Sequence, residues 1–146
     1  MKQILRIILL VIGVVVTTSC GGNKGAGITV DSAWMRPAAA TGATGAAYLV
    51  IHNEGNTDDQ LLGATSAAAA AVEIHATLEM EGMMHMAPAE GGVIIPAGGT
   101  TTLEPGGTHI MFIGLTRALN PGDMVEMILT FAQAGAITVT AEVSKE

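Results

Sequence analysis

The sequence has one cysteine in 146 residues, at position 20. No thiol lies beyond it. A disulfide within the remaining chain is therefore excluded, as is any thiolate-ligated zinc or blue-copper site there. Aromatic residues make up 3% of the chain: Trp34, Tyr48, Phe112 and Phe131. So few rings cannot build the stacking platforms that bases or sugars need. Positive charge is scarce as well. Six Lys and Arg stand against thirteen Asp and Glu, for a net charge of −7. Two of the six, Lys2 and Arg6, fall in the first six positions; from residue 20 onward four basic side chains face thirteen acidic ones, a balance of −9. A surface this acidic repels phosphate backbones, which excludes nucleic acid as a partner. The scattered Ser and Thr carry no nucleophile motif, and no Asp/Glu pair has a catalytic setting, so an enzyme is not expected. The glycine pairs Gly98-Gly99 and Gly106-Gly107 read as turns, because no phosphate-loop lysine or following helix accompanies them.

Long hydrophobic runs are absent except for one. Residues 7–16 are apolar apart from Gly13, preceded by Lys2 and Arg6 and followed by Thr17-Thr18-Ser19-Cys20. This is the layout of a bacterial export signal, and the run is shorter than the ~20 residues of a transmembrane helix. Cys20 sits where a lipoprotein signal is cut and acylated. A plain cleaved signal and an uncleaved anchor are the alternatives. The expected organisation is an export signal over 1–20, a flexible Gly-rich linker over 21–27 and one domain over 28–146. The domain is expected in the periplasm, tied to a membrane only through a lipid at Cys20.

From residue 28 the chain reads as all-β. Strand-like runs at 28–30, 47–52, 60–64, 72–75, 93–95, 100–103, 109–115, 124–131 and 137–143 are separated by Gly, Pro and Asn clusters, the signature of a sandwich or barrel. Residues 67–71 could form a single helical turn.

Methionine is plentiful, with nine residues. Four of them fall in Met80-Glu81-Gly82-Met83-Met84-His85-Met86, between His75 and the later His109-Ile110-Met111. Thioethers commonly fill irregular gaps in a core. Here, however, the segment is broken by Gly and flanked by acids, as an exposed hairpin would be. With Glu81-Gly82 as a two-residue turn, Met80 faces Met83, Glu79 faces Met84 and Thr77 faces Met86. Alternation then puts His75, Thr77, Glu79, Met84 and Met86 on one face, with His75 and Met86 as diagonal neighbours and Val72 and Ile74 turned inward. His109 and Met111 likewise share a face, opposite Ile110 and Phe112. His85 falls on the hairpin face away from Met86. It is at most a capture ligand, and His52 reads as an ordinary turn histidine. Two imidazoles and two uncharged, soft thioethers suit Cu(I) better than Zn, Mg or Ca. The alternative is an incidental Met-rich hairpin.

The sequence resembles the periplasmic copper chaperones for CuA assembly, the PCuAC family. The resemblance rests on His75 and Met86 with ten residues between them, on His109-x-Met111, and on Asp31-Ser32-Ala33-Trp34-Met35-Arg36-Pro37, Ala47-Tyr48, Ile95-Pro96-Ala97-Gly98-Gly99 and Glu104-Pro105-Gly106-Gly107. It spans nearly all of residues 28–143. It implies a cupredoxin-like Greek-key β-sandwich binding one Cu(I) through His75, Met86, His109 and Met111. It also implies delivery of that copper to the CuA-containing subunit of cytochrome c oxidase or another copper acceptor. A copper buffer or resistance protein without a dedicated client is the alternative. Two departures stand out. Twenty-two residues rather than the family's twenty-one separate Met86 from His109, with the extra one expected at Gly91-Gly92, and Thr77 replaces a frequent Met. Met83, Met84 and His85 are candidates to add to or replace the four ligands.

Overall fold

The computed structural model describes residues 27–145, so the expected export signal, Cys20 and all but the last residue of the linker lie outside the described residues. Ten strands follow in order: β1 (Ile28–Met35), β2 (Gly45–Asn53), β3 (Asp59–Thr65), β4 (Ala69–Met80), β5 (Met83–Pro88), β6 (Val93–Ile95), β7 (Thr100–Leu103), β8 (His109–Leu115), β9 (Met124–Phe131) and β10 (Gly135–Val143). No helix occurs among the described residues. The helical turn expected at 67–71 is not formed. Ala69 opposes Leu115 and Ala71 opposes Ile113, so the alanines extend β4, and the ladder to β8 overrides their weak helical preference.

The strands join in the order β5-β4-β8-β2-β1-β10-β9-β3-β6, with β7 pairing to β2. Three hairpins, β1–β2, β4–β5 and β9–β10, are linked by connections between strands that are not neighbours, as in a cupredoxin-like Greek-key sandwich. Strand β2 pairs with β1 along one edge and divides the other between two partners, its first residues pairing with β8 and its last with β7. The sheet closes over one apolar cluster in which Leu49, Ile51, Ile110 and Phe112 meet Leu61, Ile95, Met127 and Leu129. Burial of each such side chain is worth about 1.5–3 kcal/mol. Strand β9 shows the pattern most plainly, with every second residue from Val125 to Phe131 buried and the others exposed.

Strand β1 would violate that alternation without a correction. Its register against β2 slips between Asp31 and Trp34, and Ser32 there takes φ 51°. This bulge adds one residue and reverses the parity. Ile28 and Met35, an odd number of positions apart, can then both be buried, while Trp34 turns to the outer face.

Candidate metal centre

Strands β5, β4, β8 and β2 lie side by side, and the centre is built on the outer face of this group. The hairpin register expected from the sequence is the one observed: Met80 opposes Met83, Glu79 opposes Met84 and Thr77 opposes Met86. Its turn residues Glu81 and Gly82 both have positive φ, 54° and 77°. This is the primed turn whose twist matches the flanking strands.

The ladder between β4 and β8 brings the two histidine segments together. His75 is directly opposite His109, and Glu73 is opposite Met111. The two imidazole centroids are 6.2 Å apart. One pair further along, Thr77 donates from Oγ1 to the carbonyl of Gly107 at 3.1 Å and carries Met86 on its other side. An open concavity of about 350 Å³ is lined by Met86, His109, Met111, Thr77, Gly106, Tyr48 and Arg36. Three of the four expected ligands thus border one hollow. The fourth, His75, flanks it through its contact with His109.

The two histidines differ in setting. His109 is buried, at 5% exposure, and its Nδ1 lies 3.1 Å from the Gly107 carbonyl. A carbonyl only accepts, so Nδ1 carries the proton and Nε2 keeps its lone pair. The His75 side chain is 12% exposed, and its Nε2 lies 2.8 Å from Oε2 of Glu73. Its Nδ1 is buried and has no hydrogen-bond partner. A buried polar atom left in this state costs about 1–3 kcal/mol. A lone pair held toward a soft cation is one way such an atom is satisfied. Among the described residues, no three His, Cys, Asp or Glu side chains cluster closely enough to hold a metal. The further donors beside the two imidazoles are thioethers, and thioethers beside imidazole favour a soft ion.

On this outer face His109 is nonetheless buried. A row of rings covers it. Trp34 opposes Tyr48 across β1 and β2, with centroids 4.5 Å apart, and Tyr48 is 6.3 Å from His109. The Arg36 guanidinium sits 5.5 Å above the Tyr48 ring. Trp34 and Arg36 thus back the centre by packing on Tyr48. Glu73 was missed, although its spacing of two from His75 already placed it on the same face.

The spare sulfurs also separate. Met84 shares the face of Met86, whereas Met80, Met83 and His85 project from the other side of the hairpin. The expectation that Met83 or His85 could replace a ligand is not supported by this arrangement. His52 lies farther along β2, bonded to Thr100 Oγ1 at 2.9 Å and Asp31 Oδ2 at 3.2 Å, and takes no part.

Comparison with known proteins bears on this arrangement. The family model described as "Putative lipoprotein LpqE-like" matches residues 28–143. A protein named "Putative lipoprotein Lxx21020" from Leifsonia xyli subsp. xyli is 37% identical over 122 residues, which is 84% of this chain and 72% of that protein. Among solved structures, the apo PCuAC domain from PmoF1 superposes with a TM-score of 0.68 at 25% identity, over 82% of this chain and 95% of that one. The CuI form of DR1885 from Deinococcus radiodurans does so with a TM-score of 0.60 at 29% identity, over 85% of each chain.

Proposed function

The chain belongs to the LpqE-like family, and from that premise we propose that it is an exported, lipid-anchored carrier of Cu(I). In this reading His75, Met86, His109 and Met111 hold the ion. The observation that carries the proposal is the direct apposition of His75 and His109, flanked on the same face by Met86 and Met111. Similarity to the CuI form of DR1885 supports copper as the metal.

Each residue has a separate task. His109 presents Nε2 from a fixed tautomer. His75 offers its second nitrogen, oriented by the Glu73 carboxylate, as outer partners commonly orient metal-binding imidazoles. The thioethers of Met86 and Met111 add soft, uncharged donors that need no deprotonation. Met86 is 54% exposed, so the ion is reachable from solvent on the hairpin side. An acceptor's ligands can enter there as Met86 leaves, which is how a carrier transfers metal without releasing it. The proposed acceptor is the CuA-containing subunit of cytochrome c oxidase or another copper protein.

Competition with a Cu(I) chelator tests the binding. One Cu(I) at this centre, held far more tightly than Zn(II), is expected; equal or tighter Zn(II) binding would overturn the reading. Incubation of the Cu(I) form with an apo CuA domain then separates a carrier from a buffer, because only the carrier transfers faster than copper dissociates. Membrane partition of a Cys20→Ser variant tests the lipid anchor, and the variant should be released into the soluble fraction.

A further inference from the structure

The side of the β4–β5 hairpin facing away from the centre carries its own donor set. Met80 and Met83 are a directly opposed pair at the turn, and His85 follows two residues later on the same strand and therefore the same face. Directly opposed residues have Cβ atoms about 4.5–5.5 Å apart, and diagonal ones about 7–8 Å. The two thioethers and the imidazole can therefore converge on one point above the ribbon. Core packing does not explain them. Met80 and Met83 are 56% and 60% exposed, His85 is exposed as well, and it makes no hydrogen bond or ion pair among the described residues. By contrast, Met35 and Met127 fill the interior and are fully buried.

Charge favours a cation at the same place. Glu81 lies in the turn next to Met80, Glu79 stands on the other face of the same ribbon, and no Lys or Arg occurs between Arg36 and Arg117. The donors are again soft and uncharged, which disfavours Zn(II), Mg(II) and Ca(II). Because the primed turn fixes the register, the three groups are presented together rather than by chance encounter.

We infer that Met80, Met83 and His85 form a second, solvent-facing site for a soft monovalent cation, Cu(I) or Ag(I). It is separated from the His75/His109 centre by the thickness of the hairpin. The site stands independently of the proposed centre, since it shares no ligand with it. It would be the weaker of the two, having three donors, no buried nitrogen and full access to water.

The test uses the chain from residue 21 onward, titrated anaerobically with Cu(I) and separately with Ag(I). Stoichiometry and the methionine methyl NMR signals are the readouts. Wild type should bind two ions. A Met80→Leu/Met83→Leu/His85→Asn variant should bind one, with apo melting unchanged because all three positions are exposed. A His109→Gln/Met111→Leu variant should also bind one, and the Met80 and Met83 methyl signals should move as it does. Wild type binding a single ion that only the His109→Gln/Met111→Leu variant loses would overturn this inference and leave the proposed centre standing. A single ion lost only in the hairpin variant would overturn the centre instead. Two ions retained by the hairpin variant would also overturn the inference.

Discussion

Glu73 and His75 sit two apart on β4, and their side chains meet at 2.8 Å. If the carboxylate orients the imidazole toward a bound ion, Glu73→Gln should weaken Cu(I) binding about tenfold, the lower end of what loss of such partners costs, because Glu73 is partly exposed. Apo melting should hardly change. Equal affinity in the two proteins, measured by chelator competition, would show that Glu73 only occupies the face. The proposed ligands should differ among one another. Met111→Leu and His75→Ala should each lose at least about tenfold in affinity, or about 1.4 kcal/mol, since the carboxylate of Glu73 beside them is a hard donor that cannot replace a thioether or imidazole on a soft ion. His109→Ala should do the same, but it should also lower the apo melting temperature, because His109 is buried against Tyr48. Met86→Ala should be milder. Met84 shares its face and can move in, although Met80 and Met83, on the other side, cannot. Abolition of binding by Met86→Ala to the extent seen with His109→Ala would rule out Met84 as a substitute.

At the scale of the element, the hairpin depends on two residues in the left-handed region, Glu81 and Gly82. A Cβ at Gly82 would meet nothing within 4 Å, so substitution there tests conformation alone. Gly82→Val forces a branched side chain into positive φ, at a cost of about 1–2 kcal/mol. The hairpin tip should loosen and the core should not. Amide exchange should accelerate in β5 while β9 is unaffected, and Cu(I) affinity should fall through misplacement of Met86. Equal exchange in β5 of the two proteins would show that the register is held by strand pairing rather than by the turn. The Gly91-Gly92 turn is a different case. A Cβ at Gly92 would come within 2.3 Å of the Leu61 carbonyl oxygen, so Gly92 is tightly fitted to β3, whereas a Cβ at Gly91 would meet nothing within 4 Å.

At the scale of the whole molecule, Asp59 ties the end of the sandwich together. It is 4% exposed, and its carboxylate accepts from the backbone N–H groups of Gln60, Gln133 and Ala134 at 2.7–2.9 Å. Burial pushes its acidity toward the neutral form, but the backbone donors outweigh burial and hold the group below the ordinary carboxylate value. A carboxyl whose folded pKa is depressed adds stability above its unfolded value, near ~3.9, and that stability is lost as pH falls through the folded value. Asp59→Asn should therefore lower the melting temperature at neutral pH and narrow the gap to wild type in strong acid. A constant gap across that range would mean that the charge of Asp59 adds nothing.

Much of the candidate centre is legible in the sequence. Period-two alternation fixed which residues of β4 and β5 share a face, and the Glu81-Gly82 turn fixed their register, because both are properties of adjacent chain. The all-β class followed from strand-length runs between turn residues for the same reason. The sequence alone also grouped His109 with Met111 and set both apart from Ile110 and Phe112. Nothing local could say that β4 and β8 are neighbours, since strand adjacency across a long connection is decided by how the whole sheet closes over its core. That closure put His75 directly opposite His109, brought Glu73 beside Met111 and buried His109 under Tyr48. The bulge at Ser32 was equally invisible, because its parity reversal matters only once Ile28 and Met35 must both reach the interior. The chain by itself determined which candidate donors share a face; the tertiary structure decided which of them meet, because only packing sets distances between segments far apart in sequence.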